Sequence, residues 1–154
     1  TLNDRRGFGE MDDKLSIREI QEALTKAGVE IYRAEEDELS IAERVRLHIM
    51  DSGVKVTGRS GVIVKFTARS QQSDAPSAAP EQLFKLVRER VGEAAGERGY
   101  EESLSQSVDV KDPVDESKVL DVWHEVTYEK ALTQPSEAVD EVRWALSLDK
   151  YVRL

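Results

Sequence analysis

The chain has 154 residues, a formal net charge of −9, no cysteine and only 6% aromatic residues. That length suits one ordinary domain, which buries a core without disulfides or structural metal. The lack of cysteine excludes thiolate nucleophiles, iron–sulfur clusters and cysteine-type zinc sites, and the acidic balance argues against a broadly basic groove for nucleic acid, which needs Lys and Arg to neutralise phosphates.

No apolar run approaches the length of a membrane helix, so no membrane association is expected. The opening stretch TLNDRRGFGEMDD lacks the apolar centre of a signal peptide. The expected location is therefore the cytoplasm, or the virion if the chain is viral. Residues 1–13 read as a flexible N-terminal arm, and residues 14–154 as a single α+β domain. RRGFG offers a contact to RNA or a partner subunit, but a polar terminus with Gly7 and Gly9 reads first as loose chain.

Ser16 and Glu19 have capping-box spacing, which starts a first helix. Leu15 and Ile20 supply a hydrophobic staple, Ile17, Ile20 and Leu24 an apolar stripe, and Gly28 the stop. A short strand follows over 29–32. Ser40 and Glu43 repeat the capping box, and Ile41, Val45 and Ile49 mark a helical face. The spacing thus predicts a second helix over 40–52, closed by Gly53, before a strand from Val54. The acidic run Glu35–Glu38 between the two copies reads as a solvated loop.

Residues 57–61, TGRSG, predict a hairpin turn into a strand over 62–69, with Val62, Val64, Phe66 and Ala68 on one face. Gly58 and Gly61 have the spacing of a backbone-clamping loop in one RNA-binding class. That class carries its loop between helices, so a plain turn is the preferred reading and Arg59 a candidate contact residue. Residues 70–79, SQQSDAPSAA, read as a flexible surface connection that could order against a partner. Pro80 then opens a helix through about residue 98, with Leu83, Phe84, Val87, Val91 and Ala94 as its apolar face.

Tyr100, Leu104, Val108 and Val110 share a parity and predict a long, partly exposed strand. Residues 111–117 turn the chain, and residues 118–130, KVLDVWHEVTYEK, return antiparallel as a central strand. Leu120, Val122, Val126 and Tyr128 share its apolar face, which His124 interrupts; Trp123 stands out on the polar face. A last helix starts near Pro135 or Ser136, with Ala138, Val139, Val142, Ala145 and Leu146 inward and Trp144 and Leu148 widening that face or marking a second contact. An apolar tail of Tyr151, Val152 and Leu154 closes the chain.

The expected class is α+β: an antiparallel or mixed sheet of about five strands packed by helices. Within 29–110 the order is ferredoxin-like, βαββαβ, with an added C-terminal strand and helix. No P-loop, dinucleotide glycine fingerprint, nucleophile elbow or HExxH motif is present, and no cofactor is expected. His48 sits beside an apolar helical face. His124, mid-strand, reads first as a packed, hydrogen-bonded histidine; a catalytic role would pair it with Glu102 or Tyr128. Asp109, Asp112, Asp115 and Glu116 crowd one turn but do not follow the calcium-loop spacing, and read first as turn chemistry.

These observations weigh against an enzyme. The leading expectation is a non-enzymatic structural or protein-interaction subunit that self-associates, such as a ring-forming virus tail or neck component. Trp123, Trp144, Tyr151 and Arg59 are its candidate contact residues. One alternative is a small acidic secretion-type chaperone dimer, built as helix, three strands, helix, two strands, helix; the expected helix over 40–52 departs from that order. Another is a small-molecule enzyme or binding protein using His124. Partners are expected to be proteins, including further copies of the chain, rather than nucleic acid.

Overall fold

The computed structural model describes residues 17–59 and 61–154. The arm over 1–13, the Leu15 and Ser16 cap and Ser60 of the turn lie outside the described residues. The described elements are α1 (17–26), β1 (Ile31–Ala34), β2 (Glu38–Val45), β3 (His48–Thr57), β4 (Ile63–Gln71), α2 (Pro80–Val87), α3 (Glu93–Glu97), β5 (Glu101–Lys111), β6 (Val119–Ala131) and α4 (Ala138–Ser147). A π-helical turn, Arg88–Gly92, joins α2 to α3. The six strands form one antiparallel sheet in the order β1-β2-β3-β4-β6-β5. The class is α+β, with six strands where about five were expected. No helix among the described residues is long and apolar enough to cross a membrane.

Residues 40–52 correct the sequence reading. They are not a helix but the greater part of a β-hairpin, with Ala42 opposite Asp51 and Val45 opposite His48. The ferredoxin-like order falls with that helix, since four strands now follow one another before α2. Ser40 caps nothing; it is a buried residue of β2, paired on both sides. Arg46 and Leu47 make the two-residue turn, and Arg46 takes a left-handed φ of 59°. Hairpin turns of this size are ordinarily announced by glycine or asparagine, and neither is present.

Contacts divide the chain into two compact units. The first comprises the chain up to Phe66 with Lys130–Ser147. Its core joins Ile20 and Leu24 of α1, Leu39 and Ile41 of β2, Val54 and Val56 of β3, Val64 and Phe66 of β4, and Ala138, Val142 and Ala145 of α4. Gly28 closes α1 as expected, with φ 83° and the Val29 N–H donating back to the Leu24 carbonyl at 2.9 Å. α4 lies against β3, and its Trp144 meets the Phe66 ring edge-on at 5.9 Å between centroids.

Midway along β3 the pairing with β2 slips. Gly53 takes φ 81°, Ser52 Oγ donates to the Ile41 carbonyl at 2.6 Å, and the Gly53 N–H donates to Asp51 Oδ1 at 2.9 Å. These side-chain bonds replace the ladder bonds that the bulge removes. On one side of it the strands are buried; on the other, residues 43–51 are exposed.

The second unit comprises Thr67–Glu129 with Leu148–Leu154. His124, Val126 and Tyr128 alternate into its core, where Leu83, Val87 and Val91 are also buried. The π turn serves this packing: Gly92 lies under Tyr128, and a Cβ there would stand 2.7 Å from the Tyr128 hydroxyl. The tail packs back. The Arg69 N–H donates to the Lys150 carbonyl and the Val152 N–H to the Arg69 carbonyl, both at 2.8 Å. Val152 is buried, whereas Leu154 is exposed.

Candidate functional site

A connected polar cluster surrounds β6 in the second unit. His124 is sealed, 1% exposed, with the Phe84 ring edge-on at 5.2 Å between centroids. Gln72 Nε2 donates to the Ala75 and Ala78 carbonyls at 3.0 and 2.8 Å. That turns Gln72 Oε1 toward His124 Nε2, 2.8 Å away, so Nε2 carries the proton. Nδ1 is then the bare nitrogen, and accepts from Ser107 Oγ at 2.8 Å. One histidine thereby ties β6 both to the edge strand β5 and to the connection after β4.

Asp121, three residues earlier, holds the same connection at a second point. Its carboxylate accepts from the Ser73 N–H at 3.0 Å and the Ser73 hydroxyl at 2.7 Å. Burial works against this charge, but the Ser73 hydroxyl and the Val122 and Ser73 N–H groups prevail and hold its pKa below the ordinary value. Of residues 70–79, expected from composition to be a flexible connection, Ser70 and Gln71 belong to β4, and Gln72 and Ser73 are bonded to His124 and Asp121 of β6.

Burial holds the His124 pKa below its ordinary value of 6.5, partly offset by the Asp121 charge. A neutral imidazole fits both of its bonds. A depressed histidine contributes its full stability above the unfolded pKa near 6.5; the contribution fades as pH falls from there toward the folded-state value. Urea unfolding at pH 7.5 and 5.0 is therefore expected to show a larger loss in the wild type than in His124→Asn. Equal losses would remove His124 from the pH response.

Neither expected partner of His124 stands beside it. Glu102 lies opposite Tyr128 in the β5–β6 register and takes a two-point bond from Arg88, at 2.8 and 3.1 Å. Tyr128 packs against Gly92 of the π turn, its hydroxyl pKa pushed up to about 12, first by burial and then by Glu102, against the Arg88 charge. In the acidic turn, Asp112 Oδ1 accepts from the Val114 N–H at 2.8 Å, and Asp115 Oδ1 accepts the Ser117 hydroxyl at 2.6 Å. These carboxylates shape their own turn, and no cluster suited to a metal ion occurs among the described residues. His48 sits in the exposed half of β3.

Of the four candidate contact residues, Arg59 and Trp144 belong to the first unit and Trp123 and Tyr151 to the second. Trp144 is packed on Phe66. Arg59 is largely exposed and bonds Asp37 at 2.9 Å. Trp123 and Tyr151 do belong together, through a residue that pattern alone did not single out. The Arg69 guanidinium lies 4.3 Å from the Trp123 ring centre and 5.8 Å from that of Tyr151, with Glu125 at 3.7 Å. Beside Tyr151 runs a groove of about 530 Å³, lined by Arg90, Leu148, Asp149, Val152 and Arg153 among others. Its arginines are engaged: Arg90 donates to the Arg153 carbonyl at 3.2 Å, and Arg153 faces Asp74 at 3.8 Å.

Two further surfaces stand out: the first escaped the sequence reading, and the second was expected as a long, partly exposed strand. One is the β2–β3 hairpin end, where Val45, Leu47, Ile49 and Met50 are exposed, Leu47 by 98%. Their spacing with Ile41 predicts one face of a helix for Val45 and Ile49, and in the structure both are exposed strand residues. The other is β5, an eleven-residue edge strand exposed over most of its length, including Leu104. Its uncharged centre, Ser103–Val108, was the available signal. Comparison with known protein families, curated proteins and solved structures finds no match.

Proposed function

We propose that this chain is a self-associating protein-interaction module of the small, acidic secretion-chaperone kind. The order of elements carries the reading: helix, four strands, helix, two strands, helix, with the last two strands inserted so that β6 lies against β4. Replacing the expected helix over 40–52 by a strand pair removes the departure that counted against this order in the sequence. The remaining difference is one added strand, the four-residue β1. This is likeness of architecture, and function belongs to surfaces rather than folds. The exposed apolar end of the β2–β3 hairpin supports the reading, because a binder of extended or unfolded segments must present apolar side chains to them.

Mass measurement by light scattering after size exclusion, over a wide concentration range, tests the proposal. A dimer is the expected result. A ring-sized oligomer would favour a virus tail or neck component instead, and a monomer at every concentration would overturn both readings. His124 offers the small-molecule reading little, since it is sealed and bonded to Gln72 and Ser107 rather than to a carboxylate.

A further inference from the structure

An edge strand presents a row of unpaired N–H and C=O groups, and proteins ordinarily blunt it with proline, lysine, inward charge or central bulges. β5 carries none of these along its middle. It spans Glu101–Lys111, its register breaks lie near its two ends, and Ser103–Val108 is free of charge and of proline. β6 pairs with it along one side only, as the last strand of the sheet. Leu104 is half exposed.

The strand is also complementary to itself. Antiparallel pairing about a two-fold axis at Gln106 sets Ser105 opposite Ser107 and Leu104 opposite Val108, and brings Glu101 near Lys111. Small polar residues thus meet small polar residues, apolar meets apolar, and opposite charges meet at both ends. In the register with β6, Val108 stands opposite Trp123 and Leu104 opposite Thr127. The two Leu104–Val108 pairs would therefore form an apolar strip on the Trp123 face, next to the ring that Arg69 covers in each copy.

We infer that the partner of β5 is the β5 of a second copy, paired antiparallel about Gln106. The inference rests on the reading that the chain self-associates, and it names the surface. It accounts for the absence of the usual edge protection: a strand that is paired in the working protein needs none.

Sedimentation equilibrium of the full chain and four variants tests it. Gln106→Lys sets two like charges across the axis and is expected to raise the dimer dissociation constant about tenfold or more. Glu101→Lys and Lys111→Glu should each weaken the dimer, and the double exchange Glu101→Lys with Lys111→Glu should restore it. Circular dichroism checks that each variant folds. A dimer indifferent to Gln106→Lys, or weakened by the double exchange as much as by the single ones, would overturn this interface and leave self-association standing. A wild-type monomer at all concentrations would overturn both.

Discussion

Phe66→Ala is expected to lower the unfolding free energy by about 3–5 kcal/mol, the range for deleting a buried aromatic ring. Phe66 is fully buried and is the largest such side chain among the described residues. Its ring also receives Trp144 of α4 edge-on at 5.9 Å, with the planes at 72°, a contact that adds to simple burial. Alanine would remove both and leave a cavity between β4 and α4. Phe66→Leu keeps most of the volume and should cost under about 1.5 kcal/mol. Urea denaturation distinguishes these outcomes by midpoint at unchanged slope. Equal costs for the two variants would show that cavity formation is not the source.

The second large effect is expected about one turn before Trp144 on α4. Glu141 is buried on that helix, and its carboxylate accepts a hydrogen bond from Lys130 of β6; their side chains are 5% and 22% exposed. Glu141→Ala removes that partner from a largely buried ammonium and should cost about 2–4 kcal/mol. The paired change Lys130→Met with Glu141→Leu removes both charges and should recover most of the loss, since two apolar groups need no solvation. Thermal unfolding of Lys130→Met, Glu141→Leu and the double variant, beside Glu141→Ala, measures the coupling. A double variant as unstable as Glu141→Ala would show that shape, not charge, governs the contact.

Much of the fold was legible because local periodicity and burial agreed. In β4, Val64, Phe66 and Ala68 alternate with Ile63, Lys65 and Thr67, and the buried set is the one that alternation selects. In β6 the same holds from His124 to Tyr128. Capping grammar placed the starts of α2 and of the turn before α4 at Pro80 and Pro135. Residues 40–52 failed for a definite reason. Ile41, Val45 and Ile49 are spaced by four, which keeps one face in a helix and also keeps one face in a strand, because four is a multiple of two. Their β-branching favours the strand, and pairing of β2 with both β1 and β3 settled the matter.

Size and strand or helix parity separate buried from contact tryptophans poorly. Trp144 and Trp123 are both large and half-buried, yet one packs in a core and the other under a guanidinium. Arg69, Gln72 and Ser107 were missed because nothing local distinguishes them. Each matters through a partner far along the chain: Arg69 through Trp123 and Tyr151, Gln72 and Ser107 through His124.

By itself, the sequence determined where apolar faces lie, where most elements start and stop, and which chemistries lack their residues. Those properties follow from spacing, capping and composition, which act within a few residues. Tertiary structure alone decided that 40–52 is extended, that His124 is a neutral tie between β5 and the connection after β4, and that β5 is left as the sheet's edge. These outcomes depend on strand pairing between segments distant in sequence, where hydrogen bonds and burial from neighbouring strands outweigh a local preference of a few tenths of a kcal/mol per residue.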